Sequence, residues 1–346
     1  MFLRIIKTFF SFSYLFLYYV KIFLFYFKQP ASVEPFVLSV GNLTVGGSGK
    51  TPMVEYLSTF LSSNNINHSI VSRGYKRNNS KVVVVSDGSN VLASVDASGD
   101  EPFLLAHALP RIPVVVGNKL EALQLAENLF VNDVIVIDDG FQTTNIVRDL
   151  DVVLIDLSVN IKHYRLLPLG YLREPLRAIK RADVIVFTKH NYNVGDAQKI
   201  KSLILPYVNK KTTALFDANY ATSLKKYSKK QSCFISCGQK ISYGVVAFCG
   251  VANSAIFIKS LSSFCEKTSA VKTFPDHHCY SKKNIHLIKQ LLLADRSSAI
   301  ITTKKDFYKV KDFFKGYSIF IIDVEHTLKQ SSSFSSFLHK KIIVSG

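Results

Sequence analysis

Gly41-Asn42-Leu43-Thr44-Val45-Gly46-Gly47-Ser48-Gly49-Lys50-Thr51-Pro52 is the stretch on which the reading of this chain turns. The apolar run before it, residues 36–40, reads as a short buried strand, and residues 53–61 after it carry helical spacing. Strand, glycine loop and helix form the setting a phosphate-binding loop needs. Backbone N–H groups of such a loop wrap phosphate oxygens, and the following helix turns its positive dipole end toward them. There Lys50 reaches the β- and γ-phosphates and the Thr51 hydroxyl ligates Mg²⁺. The usual pattern wants glycine at position 44. Thr44 stands there, so Gly46 and Gly47 supply the flexibility. A plain glycine turn is the competing reading, and the Gly49-Lys50-Thr51 run speaks against it.

Outward from the loop, strand-like and helix-like segments alternate. Strands are expected at 36–40, 69–72, 82–85, 113–116, 133–137, 151–155 and 183–187, with helices at 53–61, 101–108 and 119–130. Short continuous Val/Ile runs suit strands buried on both faces. The expected fold class is therefore α/β, a P-loop NTPase-like, doubly wound, mainly parallel sheet. Residues 217–242 gather Lys, Ser, Tyr and Gln and read as a linker or hairpin. A smaller α/β lobe follows, with strands at 245–249, 271–274, 299–303 and 318–322 and helices at 254–264 and 283–294. A cleft between two such lobes is the expected place for a ligand. Residues 331–336 read as a short polar loop. The expected division is 1–28, a membrane-anchor helix; 29–216, a nucleotide-binding domain; 217–242, a hinge; and 243–346, the smaller lobe.

Carboxylates at strand ends give the second signal. In Asp133-Val-Ile-Val-Ile-Asp138-Asp139-Gly140-Phe141-Gln142 an apolar strand delivers two of them to its carboxyl end, where ligands bind in open α/β sheets. Asp138 or Asp139 then serves a Mg²⁺–phosphate site; a turn cap before Gly140 is the alternative. In Ser98-Gly99-Asp100-Glu101-Pro102, Asp100 reads either as a helix N-cap or as a general base on an attacking hydroxyl. Arg173-Glu174-Pro175 lies on a proline- and glycine-rich loop and is open to a surface or a functional role. Asp276-His277-His278 reads as turn residues or as a histidine that pairs with a carboxylate and sets its pKa.

Residues 8–27 are rich in Phe, Tyr, Leu and Ile, with Lys21 the only charge. As a helix they measure about 30 Å, one bilayer core. A cleaved signal peptide lacks a good small-residue site here and would export a nucleotide enzyme away from ATP. A membrane anchor or shallowly inserted helix fits better than a core helix. The formal net charge of +18 favours anionic partners: nucleic acid, acidic lipid or a phosphorylated substrate. No groove-reading motif accompanies it, which argues against nucleic acid. The five cysteines fit free thiols in a reducing compartment.

Taken in order, the phosphate loop, Ser72-Arg73-Gly74-Tyr75, Gly99-Asp100-Glu101-Pro102, Asp138-Asp139-Gly140-Phe141-Gln142 and Leu167-Pro168-Leu169-Gly170-Tyr171-Leu172-Arg173-Glu174-Pro175 resemble the tetraacyldisaccharide 4′-kinase family, the lipid A 4′-kinases. Gly250-Val251-Ala252-Asn253, Phe274-Pro275-Asp276-His277 and Thr303-Lys304-Lys305-Asp306 extend the match to about residue 310. Thr44 then looks like the family's own form of the loop. The resemblance implies a bacterial inner-membrane enzyme of the cytoplasmic face. It would move the γ-phosphoryl group of ATP to the 4′-hydroxyl of tetraacyldisaccharide 1-phosphate in lipid A biosynthesis. ATP and Mg²⁺ are the implied cofactors. The implied partners are the acylated disaccharide-1-phosphate lipid and anionic membrane lipid, with no nucleic acid and no obligate protein partner.

Residue by residue, the resemblance makes Asp100 the catalytic base and His277 its partner from the other lobe. Thr44, Val45, Gly46, Gly47, Ser48, Gly49, Lys50 and Thr51 hold nucleotide. Thr51, Asp139 and Glu174 lie toward the metal and phosphates, Arg173 and Gln142 support them, and Tyr75 lines the nucleotide site. Asn118-Lys119 departs from the expected Asp-Arg; lysine keeps the charge and loses the bidentate fork. The alternative function is a membrane-associated P-loop ATPase or GTPase driving a protein partner, which leaves Asp276-His277 unexplained.

Overall fold

The structure is a computed structural model. It describes every residue except Met1, Lys76, Asn79, His190, Tyr192, Asn193, Ser232, Ala252 and 343–346, and only the backbone of 2–5, 25, 26, 194 and 195. Ala252 of the Gly250–Asn253 motif thus lies outside the described residues. The chain opens with α1 (Phe2–Tyr26), β1 (Phe36–Asn42), α2 (Lys50–Ser63), β2 (His68–Ser72), β3 (Val83–Asp87), α3 (Val95–Ser98) and α4 (Asp100–Ala108). It continues through β4 (Pro113–Val116), α5 (Lys119–Leu129), β5 (Val134–Asp138), β6 (Leu150–Asp156), β7 (Val184–Thr188) and α6 (Val194–Ile204). Then come β8 (Ala214–Ser228), β9 (Cys233–Ser236), β10 (Val245–Cys249), α7 (Ser254–Phe264), β11 (Thr268–Thr273) and α8 (Lys282–Ala294). The last elements are β12 (Ala299–Thr303), α9 (Lys304–Val310), β13 (Ser318–Leu328) and α10 (Ser331–Ile342).

Two compact units emerge: Met1–Tyr220 with His326–Gly346, and Ala221–Glu325. In the first, the strand order is β7-β6-β1-β5-β2-β4-β3, and β8 starts parallel to β7. All pairs are parallel except β3 with β4. Alternate side chains of each strand face opposite layers. Leu38, Val136 and Val152 pack with Leu57 of α2 and Leu105 of α4. Val37 and Ile135 pack with Leu123 of α5, and Val153 with Ile200 of α6. Burying each such side chain is worth roughly 1.5–3 kcal/mol, which is why the strands carry unbroken Val/Ile runs. β1 lies between β5 and β6, so the connections diverge there, and the crevice beyond its carboxyl end is the natural ligand position in such a sheet. The second unit places β11, β10, β12 and β13 in parallel order, with α7 packed on one side and α8 and α9 on the other.

Several expectations need correction. Of the two readings of residues 217–242, linker or hairpin, the structure shows the hairpin. β8 runs through most of the first half and pairs antiparallel with β9, Lys225 opposite Ser236, as a hairpin. The smaller unit ends at Glu325 and not at the terminus. Residues 331–336, read as a polar loop, begin α10, whose Phe334, Leu338 and Ile342 enter the core of the first unit. Serines in its first turn masked a helical apolar spacing that starts only at Phe334.

The N-terminal helix, expected as a membrane anchor or a shallowly inserted helix, docks on the first unit along one face. Among the described residues no helix is long and apolar enough to cross a membrane. Ser11, Ser13, Tyr14, Tyr18, Tyr19 and Lys21 dilute its apolar run. One face docks on the first unit: Ser11 is buried, Tyr14 donates to the Arg173 carbonyl at 2.6 Å, and the Arg177 guanidinium lies 4.4 Å from the Tyr19 ring centroid. The other face exposes Phe9, Phe12, Phe16 and Phe23.

Candidate nucleotide site

Residues 43–49 connect β1 to α2 as a loop braced on both sides. Its first half is held by the 171–173 segment, through Val45 N–H to Tyr171 O at 2.8 Å and Arg173 N–H to Leu43 O at 2.8 Å. Its second half turns through Gly46 and Gly49, whose φ of 105° and 93° only glycine adopts without strain. Gly49 caps α2 with no side-chain hydrogen bond, Pro52 has no N–H and the Met53 N–H goes to the Gly49 carbonyl, so the N–H groups of Lys50 and Thr51 are the ones a bound anion can meet.

Charged groups converge on that end. Lys50 Nζ lies 3.5 Å from Asn42 Oδ1 and 3.6 Å from Asp139 Oδ1. Arg173 grips Asp139 with both terminal nitrogens, at 3.0 and 2.9 Å, and also reaches Asn42. Burial works against the Asp139 carboxylate, but Lys50 and Arg173 outweigh it and hold its pKa well below the usual range. Asp139 occupies a left-handed backbone position, φ 53°, directly after β5. Its neighbour Asp138 is the opposite case. It is buried, accepts from the Ser72 hydroxyl at 3.1 Å and leaves Oδ1 without a partner. Burial, with Glu101 and Asp139 adding repulsion, raises its pKa.

Lys119, at the start of α5, donates to the Asp139 carbonyl and to Thr143 Oγ1 at 3.3 Å. Burial pushes its pKa down to about 8 against the pull of Asp139 and Asp138. Gln142 donates to the Asn42 carbonyl at 2.8 Å. Glu174 is buried and paired to Arg181 at 2.7 Å, with Gln142 at 3.5 Å. Asp100 is the first residue of α4, and Gly99 before it is the N-cap, so Asp100 is not the cap expected from sequence. Tyr75 is exposed beside Gly74. Thr44, Ser48 and Gly49 are buried, while Val45, Gly46 and Gly47 are exposed at the loop tip; Thr51 is part-buried on α2.

The glycine loop, Lys50, Asp138, Asp139, Gln142, Arg173 and Glu174 are thus brought together. His277 belongs to the second unit. It has φ 57°, and its Nε2 lies 3.0 Å from Lys305 Nζ. An ammonium only donates, so Nε2 is the acceptor there. Asn42 and Ser72 were quoted within motifs without a role, and Thr188, Lys189, Arg181 and His326 were not singled out from sequence. Thr188-Lys189 ends β7, and the strand-end rule that flagged Asp138 would have found it. Nothing local marks His326.

The donor set fits Mg²⁺ carried by a nucleotide. Among the described residues no cluster of three or more His, Cys, Asp or Glu forms a metal cage. Mg²⁺ typically takes one or two carboxylates and completes its shell with phosphate oxygens and water. Among the described residues Asp138 Oδ1 and Ser48 Oγ are buried without hydrogen-bond partners.

A family model described as tetraacyldisaccharide-1-P 4′-kinase matches residues 3–343. A tetraacyldisaccharide 4′-kinase of Halothermothrix orenii is 32% identical over 330 residues, covering 90% of this chain and 85% of that one. One of Desulfotalea psychrophila is 34% identical over 279 residues, covering 80% and 79%. A crystal structure of LpxK from Aquifex aeolicus in complex with ATP superposes with a TM-score of 0.78 at 28% identity, covering 98% of this chain and 99% of that one. With a family model matching residues 3–343 and relatives similar along most of its length, the chain belongs to the tetraacyldisaccharide-1-P 4′-kinase family, LpxK.

Proposed function

We propose that this chain transfers the γ-phosphoryl group of ATP to the 4′-hydroxyl of tetraacyldisaccharide 1-phosphate, a step of lipid A biosynthesis. The observation that carries this reading is the uncapped start of α2 behind the glycine loop, with Lys50 and Arg173 turned toward it. Phosphoryl transfer asks mainly for positioning and charge stabilisation. Loop N–H groups hold the phosphates. Lys50, shared at rest between Asn42 and Asp139, moves to the β- and γ-phosphates. Arg173 and Lys119 add positive charge.

Asp100 is the proposed base. It takes the proton of the 4′-hydroxyl as the oxygen bonds to the γ-phosphorus and the bond to the bridging oxygen of ADP breaks. His277 is the proposed second member of this acid–base machinery. Mg²⁺ would neutralise charge on the phosphates, held by Thr51 with Asp138 or Asp139. Glu174 reaches a metal only by giving up Arg181, so its better role is to fix the Arg181 and Gln142 side chains.

The helix α1 is the proposed membrane contact, lying in the plane of the cytoplasmic face of the bacterial inner membrane. Its exposed phenylalanines suit the acyl boundary, and the basic balance of the chain suits anionic lipid. The substrate cannot leave the bilayer, so a site tied to such a helix meets it there. Neither nucleic acid nor an obligate protein partner is part of this reading.

Purified protein, γ-labelled ATP and tetraacyldisaccharide 1-phosphate in detergent provide the test. Label should pass to the lipid. Label released only as inorganic phosphate would replace the kinase with an ATPase. Phe12→Asp with Phe16→Asp should reduce cosedimentation with phosphatidylglycerol vesicles several-fold; unchanged binding would move the contact elsewhere.

A further inference from the structure

The phosphate loop is gripped from behind by three donors from distant parts of the chain. Thr188 Oγ1 donates to the Ser48 carbonyl at 3.2 Å. Lys189 Nζ donates to the Gly47 carbonyl while paired with Asp156 at 2.5 Å. His326 Nε2 lies 2.8 Å from the Gly49 carbonyl. A carbonyl only accepts, so Nε2 carries the proton and Nδ1 is bare; Nδ1 is buried and has no partner among the described residues. Burial pushes the His326 pKa down to about 4, which keeps the ring neutral at pH 7. All three side chains are buried.

Tyr220 closes the arrangement. Its ring meets His326 edge to face at 5.0 Å, and Lys189 Nζ sits 5.2 Å from the ring centroid. A Cβ on Gly49 would lie 2.5 Å from the Tyr220 hydroxyl and 2.7 Å from His326 Nε2, so the loop is seated flush on this pair. The Gly49 carbonyl also accepts the Met53 N–H at 3.1 Å, so both of its lone pairs are used.

Three successive carbonyls, those of Gly47, Ser48 and Gly49, are thus turned to the protein side. In a tight loop, fixing carbonyls on one side constrains the orientation of the intervening N–H groups, and a loop set in advance needs no reorganisation when phosphate arrives. We propose that His326, with Thr188 and Lys189, is a positioning residue that presets the phosphate loop for nucleotide. This inference rests on the nucleotide reading of the loop above. Tyr220 and His326 are also the residues at which the chain leaves the first unit and returns to it. Loop geometry is therefore fastened to the two strands that lead into the inserted unit.

The test uses the full chain with His326→Leu, His326→Gln, Thr188→Val and Lys50→Ala, measuring ATP affinity, kcat, KM for lipid and Tm. Losing one such hydrogen bond weakens binding by roughly threefold to tenfold. His326→Leu should show that loss in ATP affinity with KM for lipid unchanged. His326→Gln, whose amide N–H still donates, should recover to within about threefold of wild type. Thr188→Val, nearly isosteric, should weaken ATP binding two- to fivefold on the same scale, and it decides the matter alone if His326→Leu does not fold. Equal ATP affinity in wild type, His326→Leu and Thr188→Val, with only Tm reduced, overturns the inference. If Lys50→Ala also binds ATP normally, the nucleotide reading itself has failed. If Lys50→Ala loses binding while the other variants keep it, the preset loop alone is wrong.

Discussion

Helices α2 and α8 begin in opposite ways. At α8, Ser281 and Asn284 form a reciprocal box: the Asn284 N–H donates to Ser281 Oγ at 3.3 Å and the Ser281 N–H to Asn284 Oδ1 at 3.0 Å. That end is closed and supports structure. At α2, Gly49 offers no side chain, and Lys50, Asp139 and Arg173 gather at the open end instead. An uncapped helix start is a stability cost, and a chain keeps it where a ligand is to supply the missing acceptor. The contrast separates a helix end that finishes the fold from one kept for chemistry.

The largest expected effect is at the open end. Lys50→Ala should lower phosphoryl transfer by roughly two to four orders of magnitude, because it removes charge from the transferring group. Near-normal turnover would erase the distinction between the two helices. Asp100→Asn and His277→Ala should each lower kcat by about 10²- to 10⁴-fold with ATP affinity nearly intact. The double variant should be little worse than either single one, since residues that act as a unit do not add. Fully multiplicative losses would separate the two residues.

A smaller effect concerns pH. The Lys119 pKa is lowered by burial to about 8, so the free protein loses that charge as pH rises through 8. Bound phosphate favours the charged form, so ATP affinity should fall between pH 7 and 9 by up to about tenfold. Lys119→Arg should flatten that slope, because a guanidinium stays protonated. For folding the sign is the reverse. The folded state binds fewer protons than the unfolded chain between pH 8 and 10.5, so the cost of burying the charged lysine is relieved as pH climbs through that window. The smallest effect belongs to the closed end: Ser281→Ala should cost about 1 kcal/mol of stability, seen in Tm, and leave turnover unchanged. A loss of activity there would show that α8 is more than scaffold.

Much of this was legible in the sequence because it is local. The glycine loop, the Val/Ile strands and the Asp138-Asp139 strand end each sit within a dozen residues, and their patterns reflect burial and backbone geometry at that range. Most strand borders moved by three residues or fewer: 133–137 became Val134–Asp138 and 245–249 did not move, while 318–322 grew to Ser318–Leu328. Where composition misled, a local cue pointed the wrong way. Serines hid α10, and the polar, lysine-rich stretch left linker and hairpin both open where the 15-residue strand β8 pairs with β9. The 8–27 run showed its length and apolar character in the sequence, but not that one face of its helix docks tyrosine and serine on protein.

Short-range spacing was thus enough to read the α/β class and to place the glycine loop between β1 and α2. Tertiary structure alone decided the rest. It set β1 between β5 and β6, divided Asp138 from Asp139 by burial and partners, and tied Tyr14 to the Arg173 carbonyl. It also carried His326 across 277 positions of chain to the carbonyl of Gly49. Such pairings obey no local pattern. They exist because strands that are distant in sequence lie side by side once the apolar faces are buried, and which residues then meet is fixed by strand order and register.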